Sequence, residues 1–577
     1  MADSGSNPCA ILRRLSSEAC RDGVSRPSGA YALAVASDPS DPRISCVVFS
    51  KDRPLQLDAT LASLDLNVGD LGLARISVLC AASTPFFAAQ YRILGLDHPN
   101  VEFRRERDFK PDLIELVAGS QFVLFVVDDT LFVADALLSA GTSILESDSA
   151  CIGFSYRLGR NTTYCYSMDK PQRLPAFESA GQGIVTFDWP DMDYDFGYPI
   201  EVSSSLYRTA DLLPLLETLP YRNPNTLEAV LAARAGDFRE RRPHLACYEQ
   251  SVALSVPANL VQAAWVNRTA GRPELSSASL AAEFGKGRRL DVAHYRGHVA
   301  RAAHEELLFV FMQRADIPAI SVVIPCYNQA ELLPDAVESV VAQTFTDWEI
   351  VIVDDGSPDR TGEVAEGLAA GHPGLRIQVV RQANAGLAGA RNAGIERSRG
   401  AYILPLDADD RISPTMLERT FRLLEEQPGV AIAYTDLQRF GDDDRVVRVR
   451  EFNPTVLPEV NHFSYCSLYR REVWEAVGGY NPNMVHGYED WDFWVGAVEH
   501  GYRARRIPEP LVEYRVRSGT MYAHALAHDS DLRGQMRRNH PAVYRWDRRL
   551  RRRPFVMAMA LKTRIGVALA ARRRRKP

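Results

Sequence analysis

"EIVIVDDGS", residues 349–357, holds four branched apolar residues that stop abruptly at Asp354, Asp355, Gly356 and Ser357. A short, wholly apolar run closed by turn-forming residues is the pattern of a strand buried on both faces. Upstream, "ISVVIP" (320–325) leads into "ELLPDAVESVVAQT", where Leu332, Leu333, Ala336, Val337, Val340 and Val341 recur at helical spacing. Downstream come "RIQVV" (376–380), "AYILPLDADD" (401–410) and "VAIAY" (430–434). Strands alternating with helices predict βαβ units and a parallel sheet.

The pattern occurs once before. "ISCVVF" (44–49) precedes a predicted helix at 54–65, "RISVLC" (75–80) follows it, and "QFVLFVVDD" (121–129) again ends an apolar run in two aspartates. The expected organisation is α/β with two tandem Rossmann-like domains, 43–265 and 318–540. A Ser-, Pro- and Gly-rich arm (1–42) precedes them, and a basic tail (541–577) follows. Between them lies a linker, 266–317, whose segment "AAHEELLFVFMQR" reads as a connecting helix.

Bulk properties narrow the function. A chain of 577 residues is too long for one core. Its nine cysteines are dispersed and odd in number, as expected for reduced thiols in a cytosolic protein and not for a disulfide frame or zinc site. No signal peptide and no membrane-spanning run is expected. Residues 545–577 hold thirteen Lys/Arg against Asp547 alone, so the net charge of −6 leaves the other 544 residues at −18. An acidic body of this kind is not a nucleic-acid-binding protein by its bulk charge.

In open α/β sheets, ligands bind beyond the carboxyl ends of the strands. Those ends carry Asp354-Asp355-Gly356-Ser357 and Asp407-Ala408-Asp409-Asp410, with "NAGLAGARNAG" (384–394) and its Arg391 between them. Each acidic cluster also describes a solvated or helix-capping turn. Both on one sheet point to a hard divalent cation, Mg²⁺ or Mn²⁺, which takes one or two carboxylates and shares the rest of its shell with phosphate and water. A cation held between a diphosphate and Asp409 would offset the repulsion among the three aspartates. In "GYEDWDFWVGAVEHG" (487–501), Trp491, Trp494, Val495 and Val498 mark a packed helix face and Gly501 its end. Glu489 and Asp490 then fall at the helix start, where the macrodipole favours acids, and where a carboxylate can also take a proton from a hydroxyl.

These segments, in this order, resemble family 2 glycosyltransferases of the GT-A fold over residues 318–520. The resemblance implies that Pro325 and Tyr327 frame the nucleotide pocket, that Asp355, with Asp354 near it, holds the base or ribose, and that Arg391 lies near the diphosphate. It further implies that Asp407 and Asp409 form the metal-binding Asp-x-Asp pair, Asp409 being the direct ligand, and that Asp490 is the catalytic base of an inverting transfer from a nucleotide-diphosphate sugar. Many relatives carry a histidine where "VEYRVRSGTMY" (512–522) has Arg515 and Arg517. A guanidinium cannot ligate a metal but pairs with phosphate, so either arginine is expected to help hold the diphosphate, with Arg515 the nucleotide-sugar candidate; His524 nearby reads as a surface residue.

The first domain reads as a diverged GT-A-like copy: "CVVFSKDRP" (46–54) parallels "VVIPCYNQA", and "FVVDDTLF" (125–132) parallels "LPLDADD". Its candidate metal acids are Asp128 and Asp129, and Glu228 is the acid expected at its helix start. The tail, with an apolar stretch at 555–570 between arginines, fits an amphipathic helix on an anionic membrane surface. Together these features lead to the expectation of a metal-dependent, inverting glycosyltransferase acting on a glycan or lipid-linked acceptor in surface polysaccharide synthesis. It would be cytoplasmic and peripherally bound to the inner face of the cell membrane. A two-site glycan polymerase and a non-catalytic carbohydrate-binding scaffold are the alternatives. A dehydrogenase is disfavoured because no Gly-x-Gly-x-x-Gly follows the first strand of either half.

Overall fold

The structure, a computed structural model, describes residues 43–259, 272–314, 317–517 and 525–544. The arm, His524 and the basic residues from 545 onward lie outside the described residues.

Seven strands build the first half: β1 (Ile44–Lys51), β2 (Ala74–Ala81), β3 (Glu102–Arg105), β4 (Phe122–Val127), β5 (Cys151–Ser155), β6 (Ser204–Arg208) and β7 (His244–Tyr248). They stand in the order β3-β2-β1-β4-β6-β5-β7, and Ile184–Asp188 and Glu178–Gly181 extend the sheet to nine strands. The second half repeats this with β8 (Ile320–Cys326), β9 (Trp348–Asp354), β10 (Ile377–Arg381), β11 (Tyr402–Pro405), β12 (Ile432–Gly441), β13 (Leu468–Arg470) and β14 (Ala504–Val516). Their order is β10-β9-β8-β11-β13-β12-β14. Strand senses match pair by pair: the first four strands are parallel, β6 and β13 run antiparallel to both neighbours, and the next pair is parallel again.

Alternate residues of the central strands feed opposite cores. Val47 and Phe49 enter one cluster and Cys46 and Val48 the other; Val323 and Ile324 divide likewise. Burial on both faces is why these strands are continuous apolar runs. The helix predicted at 54–65 is α1 (Pro54–Asn67), followed by α2 (Pro85–Asp97) and α3 (Pro224–Arg234). The second half adds α4 (Leu333–Val341), α5 (Gly386–Arg397), α6 (Arg471–Val477) and α7 (Glu489–Glu499). No helix among the described residues is long and apolar enough to cross a membrane.

The linker corrects one expectation. A helix forms at Ser277–Gly285, but the segment expected to be helical at 302–314 forms no helix, and within it Phe311–Gln313 pairs with Arg288–Leu290. Leu307, Phe309 and Phe311 pack on the first core while Leu308 and Met312 stay exposed. That alternation has the period of a strand.

Both sheets belong to one compact unit that begins at Arg43. The side chain of Asp97, at the end of α2, is wholly buried and faces Arg289 at 3.0 Å, Arg314 at 3.4 Å and Arg399 at 3.5 Å. Arg92 of the same helix reaches Glu475 on α6 at 3.0 Å and lies over the Trp474 ring.

Candidate active site

The carboxyl ends of β10, β9, β8 and β11 adjoin, so Gln382, Asp355, Tyr327 and Asp407 gather at one sheet edge. Pro325 is buried in β8 opposite Val353, while Tyr327 just beyond is 48% exposed. Asn328 follows at φ +57°, a left-handed position that asparagine tolerates, and its N–H donates to Ser357 Oγ at 3.1 Å.

Asp354 turns inward. Its Oδ1 accepts from Ser357 N, three residues on, at 3.0 Å, a bond that closes the turn after β9. Asp355 Oδ1 accepts from Gln382 Nε2 at 2.7 Å and Ala385 N at 2.8 Å, and no described residue bonds its Oδ2. Gly356, at φ +72°, is required here: a Cβ would sit 2.9 Å from Asn384 N.

The acidic turn after β11 is held by the protein's own groups. Asp407 Oδ1 accepts from Arg391 Nη2 at 2.6 Å, Asp409 Oδ2 from Arg517 Nη2 at 3.0 Å, and Asp410 from Tyr465 Oη at 2.5 Å and Arg515 N at 2.7 Å. Two guanidiniums and a phenol thus relieve the crowding of like charges. Burial still raises Asp407 to about 6, with Arg391 lowering it and Asp409 raising it. Asp410, also buried beside these acids, is raised well above the carboxylate range.

Arg391, on α5, is 1% exposed. Its Nη1 donates to Glu489 Oε1 at 2.7 Å, and the rings of Tyr465 and Tyr480 lie 5.1 and 5.4 Å from its guanidinium carbon. Both terminal nitrogens of Arg391 are committed to carboxylates, and it braces the acidic turn against α7. Arg515 is similarly engaged, with Nε on the Asp409 carbonyl at 2.8 Å and Nη2 on Asp335 at 2.6 Å. Sequence reasoning could not see these pairings, because the partners lie far apart in the chain.

Helix α7 begins from Tyr488 at φ +62°, an uncommon conformation for a bulky residue, with its hydroxyl 3.0 Å from Asp529 and its ring against Trp491. Glu489 and Asp490 open the helix as expected. Asp490 Oδ2 accepts from Asn461 Nδ2 at 3.3 Å. Burial raises Asp490 to about 7, Glu489 raises it further, and Arg391 opposes them. Asn461, Tyr465 and Tyr480 are site residues that sequence reasoning missed, since nothing local marks them.

The donor set bears on a metal. No three His, Cys, Asp or Glu side chains converge as a cage among the described residues. Asp409 has one carboxylate oxygen on Arg517 and no described residue on the other. Such a set fits a hard cation that draws most of its shell from a diphosphate and water, and not a protein-only zinc site.

The first half keeps the frame and changes the chemistry. Val47 lies opposite Phe125 as Val323 lies opposite Pro405, and five residues on, Asp52 (φ +55°) matches Asn328. In this register Asp129 corresponds to Asp409, and Ala81 replaces Asp355. Arg53 Nη1 bonds both Asp128 Oδ1 at 2.9 Å and Asp129 Oδ2 at 3.0 Å. Burial raises Asp128 to about 6, countered by Arg53. Glu228 is not at a helix start: α3 begins at Pro224 behind an Asn223 cap, which puts Glu228 a full turn inside. Burial raises it to about 7, Glu201 adding and Arg157 opposing.

Comparison with known proteins gives a match to the model of glycosyl transferase family 2 over residues 321–481. The chain is 32% identical over 213 residues to an uncharacterized glycosyltransferase, EpsJ, of Bacillus subtilis, covering 34% of this chain and 61% of that one. It is 30% identical over 209 residues to a putative glycosyltransferase, EpsE, of the same organism, covering 35% and 73%. To a chondroitin synthase of Pasteurella multocida it is 29% identical over 189 residues, covering 32% of this chain and 19% of that one.

Proposed function

Because the chain belongs to glycosyltransferase family 2, we propose that it moves a sugar from a nucleotide-diphosphate donor to an acceptor hydroxyl, with inversion, at the sheet edge of its second half. One observation carries this reading: Asp490, raised to about 7, stands at the mouth of α7, and Arg391 ties that mouth to the Asp407–Asp409 turn. A carboxylate near neutrality is matched to accepting a hydroxyl proton at physiological pH.

In the proposed mechanism Asp355 holds the nucleoside through its unbonded oxygen, and Tyr327 supplies an exposed ring beside it. Asp490 removes the acceptor proton as the acceptor oxygen bonds to the anomeric carbon, and the bond from that carbon to the diphosphate oxygen breaks. Asp409 is the residue to hold a divalent cation, Mg²⁺ or Mn²⁺, which when bound would neutralise charge on the leaving diphosphate. Arg391 keeps Asp407 and Glu489 ordered so that donor and acceptor sides stay in register.

The chondroitin synthase relative supports a place in polysaccharide synthesis, with a glycan or lipid-linked acceptor. The thirteen basic residues after 544 suit attachment to the anionic inner face of a membrane. A single donor site is favoured over two, because in the first half Arg53 already neutralises both acids and Ala81 stands in place of the nucleoside-binding aspartate. The test is a panel of nucleotide sugars scored for release of nucleoside diphosphate in the presence of Mn²⁺. Turnover with one donor that disappears in Asp490→Asn supports the reading, and no turnover or binding with any donor overturns it.

A further inference from the structure

We propose that Arg517 is an internal counter-cation that occupies the metal-binding carboxylate of the donor-free protein and transfers to the donor's diphosphate, so that metal binding depends on nucleotide. This rests on the family 2 reading of the site given above.

Three guanidiniums surround the acidic turn, and they are held very differently. Arg391 is buried, with each terminal nitrogen on a carboxylate. Arg515 is 20% exposed and locked between Asp335 and the Asp409 carbonyl, with its guanidinium over Phe440. Arg517 is 45% exposed, and its described bonds are to Asp409 Oδ2 at 3.0 Å and, at the limit of a hydrogen bond, to Gln329 Oε1 at 3.5 Å. It is the guanidinium of the three that can leave without uncovering a buried charge.

Its position gives the departure a direction. Gln329 lies two residues past Tyr327, beyond the end of β8, and Asp409 lies past the end of β11. The Arg517 side chain therefore spans the two strand ends between which a nucleotide diphosphate has to lie. A divalent cation arriving alone would have to share Asp409 with a fixed positive charge or displace it into water. A cation arriving with a diphosphate gives Arg517 a new anion, for which the planar guanidinium is well shaped. Breaking one ion pair while making another links the two binding events, and linkage of this kind is reciprocal.

The experiment is a Mn²⁺ titration of the full-length protein, followed by electron paramagnetic resonance, alone and with each of UDP, GDP, CDP and ADP. Arg517→Ala should bind Mn²⁺ without nucleotide about two- to fivefold more tightly than the wild type, the span expected for an exposed ion pair. The tightening of Mn²⁺ by the effective nucleotide should shrink by the same factor. Arg517→Lys, which keeps the charge, should bind Mn²⁺ alone as the wild type does. Unchanged or weaker Mn²⁺ affinity in Arg517→Ala overturns the proposal, as does a gain that survives in Arg517→Ala/Asp409→Asn. If no nucleoside diphosphate binds any of these proteins, the donor-site reading itself falls and this inference with it. If one binds but the Arg517 effect is missing, only the counter-cation role is lost.

Discussion

Arg391 Nη1 and Glu489 Oε1 meet at 2.7 Å across 98 residues of chain, and this bond joins the helix behind the acidic turn to the helix that presents Asp490. Two carboxylates, Glu489 and Asp407, depend on that one buried guanidinium. Arg391→Met should therefore destabilise the protein by about 3–5 kcal/mol, because it strands buried charges instead of removing a pair. Urea unfolding of the two proteins measures it. A double variant, Arg391→Met/Glu489→Gln, should recover part of the loss.

Asp490→Asn should lower transfer by about 10²–10⁴-fold while leaving donor binding in place, since the base acts on the acceptor side. Steady-state rates and nucleotide-sugar affinity, measured on the same preparation, separate the two effects.

The pH dependence has a definite sign. Asp490 serves as a base only when ionised, so the rate should fall as pH drops below about 7. Stability runs the other way: the folded protein keeps this proton up to about 7, whereas the unfolded chain releases it near the ordinary aspartate value of 3.8. The native state thus binds more protons across that window, and the Asp490 contribution weakens the fold as pH rises through it. The difference between wild type and Asp490→Asn in urea midpoint, followed from pH 4 to 8, should show the variant gaining relative stability toward the alkaline end.

In the first half, Asp129→Asn should leave transfer intact, whereas Asp409→Asn should abolish it. Product analysis with both variants is the check. Loss of a separate linkage in Asp129→Asn would establish a second catalytic site and remove the single-site reading.

Gly356→Ala should weaken nucleotide binding. The new methyl group would meet Asn384 N at 2.9 Å, and the left-handed φ of +72° adds about 1–2 kcal/mol of strain. Calorimetric titration with the effective nucleoside diphosphate reads the change.

Much of this architecture was legible from local pattern. The strands at 44–51, 122–127, 320–326 and 348–354 are apolar runs because both their faces are covered, and the start of α7 follows from its acids and aromatic face. Segment 302–314 misled because Leu307, Leu308 and Phe311 fit a helical stripe as readily as Leu307, Phe309 and Phe311 fit a strand. Glu228 was placed too early, although Asn223-Pro224 is a readable cap and first-turn signal. The pairings of Arg391, Arg53 and Arg515 were out of reach, since side chains 16 to 180 residues apart carry no local trace of each other. The same limit hid the inward turn of Asp354 less completely, because an aspartate three residues before a serine already suggests it.

The burial of Asp97 bears on how this chain can be taken apart. Arginines from three segments, the linker strand, the end of the linker and the transferase half, converge on that one carboxylate, much as ribs meet at a keystone. A gene trimmed to the transferase half would lose the keystone together with Arg92, the prop beneath Glu475. The first half thus serves the second as an abutment, through the Asp97 carboxylate and the Arg92 guanidinium.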